Sequence, residues 1–175
     1  MKKIALLILI LLFCFLGCKI QNNSANQKTV TLIFETKSSS TVSGTAVFVE
    51  KNGVVTLTAN ISGLKPGLHG IHIHEKADCS SPDGKSAGGH WNPTFKNHGK
   101  GGDSNCHRGD IDNFEADENG NGKIIFATSE WCINCDDATK NIVGKGLIVH
   151  QDADDFQTQP AGNSGSRVAC GSIIQ

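Results

Sequence analysis

The sequence has no block of lysine and arginine and no stripe in which aromatics alternate with cations. Aromatics make up 6% of its 175 residues, none of them tyrosine, and the formal net charge is only −1. A protein that tracks a phosphate backbone needs a concentrated cationic footprint, so nucleic acid is not an expected partner. Also missing are a long segment with a 3.6-residue apolar period and any internal repeat. Without them, helical and repeat architectures lose their primary signal.

What is present starts with an export signal. Lys2 and Lys3 precede an apolar run from Ile4 to Leu16, and Gly17-Cys18 follows. A short basic start and an apolar run near the lower limit for spanning a bilayer read as a secretory signal. Phe15-Leu16-Gly17-Cys18 resembles the lipobox of bacterial lipoproteins, with Phe15 where that motif usually carries leucine. The reading is a lipoprotein signal peptide over 1–17, a lipidated tether over 18–28 beginning at Cys18, and a folded domain over 29–175. An uncleaved N-terminal anchor is the alternative. Either way the folded part lies outside the cytoplasm, and the lipid would attach it to a bacterial membrane, facing the periplasm or the cell exterior. Cleavage removes two of the sixteen basic residues, leaving fourteen against seventeen acidic, a net charge of −3. Residues 19–28 are polar and aperiodic, as a flexible tether would be.

From Thr29 onward the pattern is short and β-like. Thr29–Thr36, Gly44–Glu50, Val54–Ile61, Leu68–His74, Ile111–Ala116, Lys123–Thr128, Gly146–His150 and Arg167–Ile173 are strand candidates. Asn52-Gly53 and the Asn119–Gly122 run supply hairpin turns. Eight such segments predict an all-β antiparallel sandwich or barrel. Two long segments interrupt it. Residues 75–109 have almost no strand character yet hold three histidines and two cysteines, and residues 151–166 are acidic at the start and glycine-rich at the end. Structureless loops longer than about 12–15 residues are uncommon in compact domains unless functional or disordered.

All seven histidines fall in the expected domain: His69, His72, His74, His90, His98, His107 and His150. In a strand, residues i and i+2 share a face, so His72 and His74 set two imidazoles side by side while Ile71 and Ile73 face the core. Alone, the pair also fits two exposed polar residues on an alternating strand. His90, His98, His107 and Asp110 match the nitrogen and oxygen donors of a tetrahedral zinc site, although loop histidines are often only solvated. His150 ends an apolar strand, where a buried histidine can also be structural.

Gly67-Leu68-His69-Gly70-Ile71-His72-Ile73-His74-Glu75 resembles the first signature of copper/zinc superoxide dismutases, and Gly162-Asn163-Ser164-Gly165-Ser166-Arg167-Val168-Ala169-Cys170-Gly171 resembles the second. Ala87–Pro93, Gly109-Asp110 and Val149-His150 fall between them in the family's order. The similarity runs from about Thr29 to the C-terminus. It implies an eight-stranded Greek-key barrel of immunoglobulin-like type with two functional loops. It implies one copper per subunit on His72, His74, His90 and His150, and one zinc on His90, His98, His107 and Asp110, with His90 shared. It implies disproportionation of superoxide to dioxygen and hydrogen peroxide by alternate reduction and oxidation of copper. His90 and Arg167 would be catalytic, the one moving a proton and the other attracting the anion. Asp154 would orient His72 and His98, Cys79 and Cys170 would be disulfide-bonded, and His69 would buttress the copper site without binding metal. Members of the family pair in different ways, so a homodimer is compatible with the resemblance.

Trp131-Cys132-Ile133-Asn134-Cys135 has no counterpart in the family pattern. A C-x-x-C in an exported chain reads as a local disulfide, a copper(I)-capturing pair of soft thiolates, or a redox-active pair. Cys106 adjoins His107 and reads as a free thiol or a competitor for metal.

Overall fold

In a computed structural model of the chain, residues 27–175 are described. The signal, Cys14, Cys18 and most of the tether lie outside them. Nine strands run in chain order: β1 (Lys28–Ile33), β2 (Glu35–Thr36), β3 (Ser43–Lys51), β4 (Val54–Ser62), β5 (Gly67–His74), β6 (Asp110–Ala116), β7 (Gly122–Thr128), β8 (Lys145–His150) and β9 (Arg167–Ile173). The only helical turn among the described residues is the 3₁₀ segment Lys85–Ala87.

The strands form one antiparallel sheet in the order β1-β3-β4-β7-β6-β5-β8-β9-β2. Its two ends are consecutive in the chain, so the sheet curls into a nearly closed barrel. This is also why nine strands appear where the alternation predicted eight. The run expected as one strand over Thr29–Thr36 breaks at Phe34. Before the break it pairs with β3, and after it Glu35 and Thr36 pair with Cys170 and Ala169 of β9. Phe34 itself is buried, so the break turns an apolar side chain inward while the backbone changes partners. β1 starts at Lys28, one residue earlier than the pattern placed it.

Alternation fills the barrel. Val30 and Leu32 of β1, Ala46 and Phe48 of β3, and Val55, Leu57, Ala59 and Ile61 of β4 point inward. Ile71 and Ile73 of β5 are fully buried, as the H-x-H spacing predicted. Their neighbours His72 and His74 are each only 1% exposed, because the 75–109 and 151–166 loops fold over that outer face. Burying a polar side chain is costly unless it finds partners, so the second layer over β5 exists for its polar contacts.

Among the described residues two disulfides are present, Cys79–Cys170 and Cys132–Cys135. Cys79–Cys170 joins residues 91 apart in sequence and ties the long loop to β9. Cys106 is the free cysteine among the described residues.

Candidate metal centre

Strand register assembles the site. Across β5 and β6 the partner of His72 is Asp110. An isolated bridge sets His90 opposite His74, and across β8 and β9 the partner of His150 is Arg167. Bulges interrupt the ladders at Gly70/His72 and at Val149/His150, and bulges re-aim side chains next to functional sites.

Two groups of donor atoms result. One ligand atom from each of His72, His74, His90 and His150 lies within 4.8 Å of the other three, and the same holds for His90, His98, His107 and Asp110. All seven side chains are buried. The seven residues singled out in the sequence are thus brought together, with His90 common to both groups.

Hydrogen bonds fix the imidazole tautomers. His72 Nε2 donates to Asp154 Oδ2 at 2.7 Å, His74 Nδ1 to the Gly88 carbonyl at 3.0 Å, and His90 Nδ1 to Asp110 Oδ1 at 2.9 Å. Each ring therefore turns its other nitrogen inward as a lone pair. Those atoms, His72 Nδ1, His74 Nε2 and His90 Nε2, together with both ring nitrogens of His150, are buried without a hydrogen-bond partner. An unpaired buried polar atom is unfavourable, and several lone pairs converging on one point call for a cation. Burial first, then repulsion from neighbouring imidazoles, pushes the pKa of His74, His90 and His150 down, that of His90 to about 4. These rings stay neutral, the form that ligates a metal.

The second group is organised by a carboxylate. His90, His98 and His107 approach Asp110 Oδ1 through Nδ1 at 2.9, 3.0 and 3.2 Å. Asp110 Oδ2 accepts the backbone N–H groups of Gly99 and His107. His98 also donates from Nε2 to Asp154 Oδ1 at 2.9 Å. Burial opposes charge on His98, but its hydrogen bonds to Asp110 and Asp154 outweigh that and raise its pKa to about 9. Burial would likewise raise both carboxyls, yet hydrogen bonds from the histidines hold Asp110 and Asp154 well below the usual carboxylate range.

Asp154 thus joins a histidine of each group, His72 and His98. Gly162 closes this link from behind at φ +63°, and a Cβ there would lie 1.7 Å from Asp154 Oδ1 and 2.6 Å from His98 Nε2. His69 binds neither group. Its ring spans the carbonyls of His150 and Lys65 at 3.0 and 2.8 Å, bracing the backbone of a ligand.

Arg167 is half-buried, and its Nη1 donates to the Gly84 carbonyl at 2.8 Å. It lies close enough to His74 and His150 for its charge to oppose their protonation. The sequence reading missed a second buried cation, Lys37, which is 7% exposed. Lys37 donates from Nζ to the Cys79 carbonyl and to Glu35 at 3.0 Å. Its stem and that of Arg167 pack together against the same side of Gly84, where a Cβ would meet both. Lys37 thereby braces the loop whose carbonyl holds the arginine. Its neighbours Thr36 and Ser38 are ordinary strand and turn residues, and nothing local in the sequence marks it.

Comparison with known proteins decides the family. A profile of the family described as copper/zinc superoxide dismutase (SODC) matches residues 42–173. The chain belongs to the copper/zinc superoxide dismutase family. It is 37% identical over 131 residues to an extracellular superoxide dismutase [Cu-Zn] of Haemonchus contortus, a match covering 71% of this chain and 69% of that protein. Among solved structures it resembles the clock protein EA4, with a TM-score of 0.73 and 32% identity over 83% of this chain and 94% of that one. The family uses copper and zinc, and the two buried donor groups fit two metal sites.

Proposed function

We propose that this copper/zinc superoxide dismutase holds copper on His72, His74, His90 and His150 and zinc on His90, His98, His107 and Asp110. The reaction is disproportionation of superoxide to dioxygen and hydrogen peroxide. The observation that carries the copper assignment is the set of buried, unpartnered imidazole nitrogens converging within 4.8 Å, and the zinc assignment rests on the equally close donors of the second group. Four imidazoles suit copper, and the three-histidine, one-carboxylate group suits zinc.

Bound copper supplies the one-electron couple, and bound zinc, which is redox-inert, supplies fixed positive charge. The chain's own residues do the rest. Arg167 stays cationic at any working pH and presents its charge beside His150, so it attracts the anionic substrate and orients it there. Local positive charge of this kind raises on-rates by ~10–10³ even on a net acidic protein, and superoxide dismutase is among the general examples of such steering. His90 presents Nε2 to one group and Nδ1 to the other, which makes it the residue placed to hold and deliver a proton at Nε2. Asp154 keeps His72 and His98 in the required tautomer and direction. Cys79–Cys170 and Lys37 hold the Gly84 carbonyl against Arg167.

Export is supported by the extracellular relative and by the disulfides, which persist in oxidising compartments. Lipidation of Cys18 and attachment to a bacterial membrane extend that reading, on the strength of the Phe15–Cys18 motif. Partition of the expressed full chain into detergent, lost in Cys18→Ser, is the expected result. The catalytic assignment is tested by metal analysis together with superoxide consumption. One copper and one zinc per chain with rapid consumption is expected; zinc without copper, or copper without activity, overturns it.

A further inference from the structure

We infer that Cys132 and Cys135 form a thiol–disulfide exchange site for a dithiol, separate from the metal centres. The two disulfides differ in everything that governs exchange. Cys79 and Cys170 are 5% and 0% exposed, so neither sulfur is open to attack, and their bond closes a segment of 91 residues. Cross-links over long segments restrict the unfolded chain most. The Cys132–Cys135 bond spans three positions and constrains the unfolded chain little. Its two ends are also unlike: Cys132 is buried at 8%, while Cys135 is partly exposed at the rim of the segment.

The surrounding segment does not depend on this bond for its place. Ile133 and Ile142 are fully buried, and Trp131, 2% exposed, packs against Phe48 and Phe126. The Cys132 N–H donates to the Lys140 carbonyl, and the Ile142 N–H to the Cys132 carbonyl. The Ile133 N–H donates to Glu50 Oε2 at 2.8 Å, and Lys28 Nζ donates to the Ile133 carbonyl at 2.7 Å. A disulfide that closes a short loop already held by packing and hydrogen bonds can open and re-form without moving its frame. One reachable sulfur and one buried leaving sulfur complete the arrangement.

The step balances as follows. A partner thiolate attacks Cys135 Sγ, the bond to Cys132 Sγ breaks, and Cys132 leaves as a thiolate that takes up a proton. The partner's second thiolate then attacks its own sulfur in the mixed disulfide. This closes the partner's disulfide and releases Cys135, which is protonated in turn. Two electrons and two protons pass from the partner dithiol to the pair.

The test titrates the metal-loaded protein with dithiothreitol, without denaturant, and maps thiols by alkylation and mass spectrometry. Cys132 and Cys135 should become alkylated at a dithiol concentration at least about tenfold below that which opens Cys79–Cys170, with the thermal midpoint retained. Opening of both bonds at one concentration, or thiols that appear only on unfolding, would overturn the proposal. A second arm uses oxidised glutathione. Cys135 in Cys132→Ser should form the mixed disulfide at least about tenfold faster than Cys132 in Cys135→Ser; equal rates contradict the assigned direction of attack.

Discussion

The two ligand groups share His90 but are built on different principles. In the copper group His72 and His74 stand on β5 and His150 on β8, so the sheet sets three of the four positions. Those rings send their N–H groups outward or have no partner at all, which leaves bare lone pairs in a buried space. In the zinc group three histidines come from the 75–109 loop, and only Asp110 belongs to a strand, as the first residue of β6. There a carboxylate gathers the rings, and His98 sits between Asp110 and Asp154 with a pKa raised to about 9. The sheet imposes one site, whose lone pairs it sets by strand position. The loop site is held together by two carboxylates and the His98 proton between them, and it is that proton that zinc must displace.

The largest expected effect breaks the first group without touching the second. His74→Ala removes a strand-borne ligand that takes no part in the zinc group. Dismutase activity should fall to background and copper content should drop, while zinc stays near one per chain. Loss of both metals together would show that the groups are not separately built. Arg167→Ala comes next. It should retain both metals and lower kcat/KM by ~10–10³, with a weaker dependence on ionic strength. An unchanged kcat/KM in the metal-replete variant would remove Arg167 from the reaction.

A smaller effect tests the link between the groups. Gly162→Ala drives a methyl into the Asp154–His98 contact, and Asp154→Asn removes its charge. Disturbing residues that orient metal ligands typically costs about 10–100-fold in affinity or activity. Both variants should weaken zinc binding more than copper binding, as competition with a chelator would read, because three copper ligands remain fixed by strands. Equal weakening of the two would deny the sheet its role.

The same contrast explains what could be read from the sequence. Strand-borne features followed from the period of two: the inward Ile71 and Ile73, and the shared face of His72 and His74. Loop-borne features did not. That His98, His107 and Asp110 form one group was implied by family resemblance, because 75–109 has no periodicity from which to derive a path. The Asp154 contacts reach across 82 and 56 residues to His72 and His98, and separations of that size are set by topology. The break at Phe34 was invisible because both halves of the run are equally β-like. The burial of Lys37 was invisible because its partner distant in sequence is a backbone carbonyl, that of Cys79, which any residue could supply. The C-x-x-C left three readings open; the structure shows it as a disulfide, and the exposure of its two ends was beyond pattern.

The smallest effect is the most specific to the comparison. In metal-free protein His98 holds its proton up to about pH 9, above the ordinary histidine value near 6.5. That proton stabilises the metal-free fold. The contribution is full below about pH 6.5, where the unfolded chain is protonated too, and it is lost as pH rises through about 9. Zinc must expel it. Zinc affinity should therefore rise by about tenfold per pH unit from pH 7 toward 9 and level off above, and at pH 7.5 binding should release close to one proton from His98. The strand-borne copper ligands predict the opposite profile. His74 and His150 have pKa values pushed below the ordinary range, so protons do not compete there above neutrality, and copper affinity should stay flat over the same interval. Calorimetry of each metal in buffers of different ionisation enthalpy measures both slopes. A flat zinc profile, or a copper profile equally steep, would erase the distinction between a site set by strands and one held by a proton.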